Sequence, residues 1–203
     1  MPQYSPTMWQ YNGLVLLCGY LQRLTAQDQI LRWIGQPAKH GRGAALPSLS
    51  DTVTAAMAAL GERSLPEAQL RAIGRMLPEV ETWWEACAPR PRHETRLADR
   101  IAATGGAIFG EKRVNDGLIA MGRLFDPALE ERFAKQALFH QGRLRVVSAV
   151  VSRLARRDTP PQPELSYMER WYDELLLRRD GIGADLHTVA RLLEGQNPEA
   201  RSA

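Results

Sequence analysis

The sequence predicts an all-α protein of about eleven helices, either a compact helical bundle or two small packed helical subdomains split near residue 90. Apolar residues return every three or four positions along nearly the whole chain, the spacing that gathers them on one side of a helix. No stretch sustains the apolar-polar alternation of a half-buried strand. With 203 residues, 44% of them apolar, the chain has material for a core without disulfide support.

The first helix is expected from about Thr7 to Leu24, with Leu14, Leu17, Leu21 and Leu24 on one face and Gly13 and Gly19 weakening its early part. Thr25 is placed to cap a short second helix holding Ile30, Leu31 and Ile34, which Gly35-Gln36-Pro37 ends. Residues 35–48, punctuated by Gly35, Pro37, Gly41, Gly43 and Pro47, read as a loop. A third helix over 51–60 buries Val53, Met57 and Leu60. Ser64-Leu65-Pro66-Glu67 has the form of a capping box with a first-turn proline, opening a fourth helix through Leu70, Ile73 and Leu77. Pro78 is expected to interrupt it, leaving a short fifth helix through Trp83, Trp84 and Cys87.

Ala88-Pro89-Arg90-Pro91-Arg92 is the best internal linker, dividing residues 1–88 from residues 93–195. Leu97, Ile101 and Ile108 mark a sixth helix weakened at Gly105-Gly106, and Val114, Leu118, Met121 and Phe125 a seventh. Asp126-Pro127 supplies a cap and first-turn proline for an eighth with Leu129 and Phe133. After a break at Gly142, a basic helix over 143–157 aligns Leu144, Val147, Val151 and Leu154. Asp158-Thr159-Pro160-Pro161-Gln162-Pro163 should be an extended connector. Helices at 165–179 and 184–194 complete the bundle, and residues 196–203 form a frayed tail.

The motifs of common chemistry are missing. His40, His93, His140 and His187 lie far apart, with neither an HExxH pair nor a cysteine at ligand spacing, so no metal is expected. His93 and Glu94 are neighbours and would not face each other on a helix. Gly105 to Lys112 has the outline of a phosphate loop, but the lysine does not directly follow the second glycine and no Ser or Thr follows it. Glu81 and Glu85, near Glu79, share a helix face that is read as solvated. Cys18 and Cys87 are expected to be buried thiols. No cofactor and no small-molecule substrate are predicted. Met1-Pro2-Gln3-Tyr4 lacks the basic start of a secretory leader, and Leu14 to Cys18 is far short of the ~20 residues that span a bilayer. No membrane contact is expected, and a cytoplasmic location is.

Charge is the informative property. Net charge is +3, yet residues 1–89 carry seven basic and seven acidic side chains, residues 90–157 fourteen and seven, and residues 158–203 five and nine. Only Lys39, Lys112 and Lys135 among the basic residues are lysines. Arginine is the better residue for bidentate phosphate contact. From Gly142 to Arg157 the pattern places Arg145, Ser148, Ser152, Arg153 and Arg156 opposite the apolar face, with Arg143 and Arg157 in the same run and no acid before Asp158. Such a face suits a phosphate backbone. Arg90, Arg92, Arg96 and Arg100 add a second basic run, although Glu94 and Asp99 interleave with it.

The expected function is that of a non-catalytic helical subunit that touches nucleic-acid backbone, DNA or RNA, or sits in a nucleoprotein assembly without reading bases. The alternative is a protein–protein adaptor or chaperone-like bundle for which Trp83, Trp84 and Trp171 anchor a partner. In general character the chain resembles the small helical subunits of bacterial RNA-guided surveillance complexes, without a motif that carries the resemblance, and no family is assigned.

Overall fold

A computed structural model describes residues 5–38, 42–178 and 182–197. Among them every regular element is helical: α1 (Pro6–Trp33), α2 (Ala45–Gly61), α3 (Glu67–Cys87), a 3₁₀ turn (Arg92–Glu94), α4 (Leu97–Phe125), α5 (Pro127–Ala134), α6 (Ala137–Ala155), α7 (Gln162–Leu177) and α8 (Ile182–Leu193). These are eight α-helices where about eleven were expected, because three predicted breaks are absorbed into longer helices.

The reasons are tertiary. Thr25 caps nothing; its hydroxyl donates back to the Leu21 carbonyl at 2.9 Å and α1 continues through it. Pro78 sits inside α3, with Gly74 four residues before it, and the helix carries on because Val80, Trp83, Trp84 and Cys87 beyond the proline are all buried. At roughly 1.5–3 kcal/mol for each large apolar side chain, that burial exceeds the about 3 kcal/mol an interior proline costs. Gly105-Gly106 lies within α4, where the lack of side chains lets α4 approach α1.

Helix ends depart from expectation in smaller ways. The Ser64 capping box does not form, since Pro66 holds the N-cap position of α3 with no side-chain hydrogen bond. Asp126 does cap α5, accepting from the Ala128 amide at 3.1 Å, with Pro127 in the first turn. α2 begins at Ala45, inside the predicted loop, and α6 begins at Ala137, so that Gly142 is interior. Gln162 and Pro163 belong to the first turn of α7, which shortens the extended connector. Of the predicted tail, residues 198–203 lie outside the described residues.

The two longest helices, α1 and α4, run antiparallel in close contact: a side chain at Gly105 would meet Ile30, and one at Gly117 would meet Val15. Around α1 gather two cores. The first takes Leu14, Leu17 and Leu21 of α1 with side chains of α2, α3 and α8, and Met121 of α4. In the second, Ile30 and Leu31 at the far end of α1 meet Ile101 and Ile108 of α4, Val147 and Val150 of α6, and Met168 of α7. α6 therefore buries one face on α4 and α7 and leaves the other open.

Candidate nucleic-acid interface

The open face of α6 is built by periodicity. Val147, Val150 and Val151 are buried, while Arg145, Ser148, Ser152, Arg153 and Arg156 are exposed. The Arg145 and Arg153 guanidinium groups make no ion pair among the described residues, and Arg156 lies 3.6 Å from Asp158, both well exposed. An exposed pair of that kind contributes about 0–1 kcal/mol and leaves the charge available. From Arg145 to Arg156 the stripe is about 16 Å long at 1.5 Å per residue, the length of roughly five stacked nucleotides.

Arg157 extends the stripe at an unusual backbone angle. α6 ends in a Schellman turn, with the Asp158 amide donating to the Arg153 carbonyl at 2.9 Å and the Arg157 amide to the Leu154 carbonyl at 3.0 Å. This turn puts Arg157 at φ 61°, the left-handed region where glycine is preferred. A side chain there costs roughly 1–2 kcal/mol, offset in part by the chain entropy glycine would lose. Arg157→Gly is expected to raise stability by about 0.5–1 kcal/mol in urea unfolding, and a loss of stability would show that the arginine side chain is structurally engaged.

The other predicted arginines are placed differently. Arg143 is mostly covered: its guanidinium pairs with Glu111 of α4 and lies 5.1 Å from the Trp171 ring and 5.4 Å from Phe139. It ties α4, α6 and α7 together and is off the open face, because position 143 falls toward the buried side of the helix. Arg92 forks onto Asp173 with two 2.9 Å hydrogen bonds and reaches Glu169 at 3.3 Å. The bond to Asp173 also holds its pKa above the ordinary arginine value. Arg96 pairs with Asp99 at 3.2 Å and Gln36 at 3.1 Å. Arg90 is anchored through its backbone, whose carbonyl accepts from the Tyr172 hydroxyl at 2.5 Å while its amide donates to the same oxygen at 3.0 Å. The 90–96 run is thus fastened largely to α7.

The predicted tryptophan anchors are mostly internal. Trp83 and Trp84 are both buried, although neighbours on a helix point apart, because α3 is covered on more than one side. Arg23 lies 3.8 Å over the Trp84 ring, and burial pushes its pKa down to about 10, still fully charged at neutral pH. Trp171 is half-buried and stacks on Tyr167 at 6.0 Å. Cys18 and Cys87 are buried free thiols, each pushed up in pKa by burial. Glu79, Glu81 and Glu85 are solvated. His93 does approach Glu94, at 3.4 Å, in a 3₁₀ turn where both side chains are exposed and can bend toward each other. Among the described residues no three His, Cys, Asp or Glu side chains gather to hold a metal ion, and no helix is long and apolar enough to cross a membrane.

Sequence reasoning missed Trp33. At the end of α1 it is 53% exposed and borders a groove of about 310 Å³ whose other wall is α6, including Val151, Ser148 and Ser152. Its signal was faint: a lone tryptophan outside the Leu14-Leu17-Leu21 face. Also missed was the buried pair of Asp28 and Arg42, which no local pattern announces. Comparison of the chain with protein-family models, with curated proteins and with solved structures gives no match, so the geometry of α6 and its surroundings carries the functional reading.

Proposed function

We propose that the protein is a non-catalytic helical subunit that holds nucleic-acid backbone against the open face of α6, in a nucleoprotein assembly and without base-specific readout. One observation carries this reading: Arg145 and Arg153, exposed on a helix without a single acidic residue, and Arg156 and Arg157 at its end form one exposed run in which only Arg156 meets a carboxylate, whereas Arg92 is held by both Asp173 and Glu169 and Arg96 by Asp99. An all-arginine face with small hydroxyls between the charges lets phosphates approach closely and binds them by counterion release.

The triple variant Arg145→Ala, Arg153→Ala, Arg156→Ala is expected to keep its thermal stability and to bind every sequence more weakly. The slope of log affinity against log salt should fall by about 2–3, at roughly 0.7–0.9 per lost phosphate contact. Wild-type binding by the triple variant would sink the proposal. The adaptor reading has its own support in Leu138 and Phe139, 78% and 63% exposed at the start of α6. It becomes the better one if nucleic acid binds neither protein and a purified partner binds both.

A further inference from the structure

We infer that the strand bound along α6 is single-stranded and that the groove beside Trp33 receives one of its bases; this rests on the phosphate-binding reading of α6. The groove is formed where the end of α1 meets α6. Its floor is apolar, with Phe109, Leu144 and Val151, one side is the half-exposed Trp33 ring, and the rim on α6 carries Ser148 and Ser152. Those two serines belong to the same exposed face as Arg145 and Arg156, three and seven residues beyond the former and eight and four before the latter. The base-sized apolar slot and the cationic stripe are therefore adjoining strips of one surface.

That adjacency matches the chemistry of a nucleotide, in which a flat apolar base hangs beside a phosphate. A volume of about 310 Å³ lies at the small end of the roughly 300–1,000 Å³ typical of small-molecule sites. In a duplex the base faces are stacked and the helical surface presents only phosphates and groove edges, so nothing reaches Trp33. An unpaired base can turn its π-face onto the ring while its phosphates stay on the arginines. The groove offers hydroxyls and no fixed fork of donors and acceptors, which makes the pocket tolerant of base identity.

The test compares wild type with Trp33→Leu, Trp33→Phe and the triple arginine variant. Fluorescence anisotropy follows binding to labelled fifteen-nucleotide oligo-dT, oligo-rU and a fifteen-base-pair duplex across a salt series. Wild type is expected to prefer the single strands. Trp33→Leu should weaken single-strand binding by about tenfold, leave duplex binding and the salt slope unchanged, and lose little thermal stability because the ring is half exposed. Trp33→Phe should retain most of the affinity. The dT and rU arms separate DNA from RNA as the source of the base. Single-strand binding by Trp33→Leu equal to wild type, or loss equal on strand and duplex, overturns the base pocket while the phosphate reading stands. Absence of wild-type binding to all three probes overturns the phosphate reading, and this one with it.

Discussion

Arg42→Met should cost about 3–5 kcal/mol of unfolding free energy, the penalty of leaving one partner of a buried ion pair alone. Arg42 is 4% exposed and Asp28 7%. The guanidinium pairs with Asp28, donates to the Cys87 sulfur at 2.9 Å and to the Leu24 carbonyl at 3.3 Å. It thereby pins the end of the α1–α2 connection, just before α2, against α1 and the end of α3. Removing it abandons a carboxylate, a thiol and a carbonyl in a largely buried site. With a denaturant slope near 2 kcal/mol per molar, the urea midpoint should fall by roughly 1.5–2.5 M. The companion experiment replaces both charges, Asp28→Leu with Arg42→Met, and is expected to recover most of the loss because two apolar groups leave no orphaned charge. Equal cost in the single and double variants would mean that packing, and not the stranded carboxylate, is responsible.

The second large effect is steric. A Cβ at Gly110 would stand 2.7 Å from the Gly19 carbonyl oxygen and 3.0 Å from the Arg23 Cβ, and one at Gly106 2.7 Å from the Arg23 carbonyl oxygen. Backbone cannot step aside as a side chain does, so α1 and α4 must separate. Gly110→Ala is expected to destabilise by about 1–3 kcal/mol by overpacking, despite the roughly 1 kcal/mol that alanine gains over glycine in a helix interior. Gly110→Val should cost more. At Gly142 of α6 a Cβ meets nothing within 4 Å, and there the same change to alanine should stabilise by up to about 1 kcal/mol. Thermal or urea unfolding of the two alanine variants reads opposite signs from one substitution; matching signs would show that the α1–α4 spacing is not set by these glycines.

These two cases show which parts of the fold the sequence could announce. Helical class and the two faces of α6 are properties of periodicity, and Val147 and Val151 inside with Arg145 and Arg153 outside follow from it. Breaks are different, because Gly and Pro signals are local and the burial that overrides them is not: nothing near Pro78 says that Trp83 and Trp84 will both be covered. The glycines at 105 and 106 weaken an isolated helix, yet they are what the α1–α4 contact requires. At the site, the arginine stripe was legible, whereas the commitment of Arg92 to Asp173 joins residues 81 apart in sequence. Trp33 faces α6 only because the ends of two long helices come together.

The way α1 serves both cores also sets a timetable for the chain. Its hydroxyl at Tyr20 donates to the Asp185 carboxylate at 2.5 Å across a separation of 165 residues. Leu14, Leu17 and Leu21 share their core with Leu186 and Val189. A ribosome adding roughly 5–20 residues per second presents those leucines on the order of 10–30 s before the last helix exists to cover them. α1 is thus completed by a helix made long after it, and during that interval its apolar face has only α2, α3 and α4 of the same core to cover it.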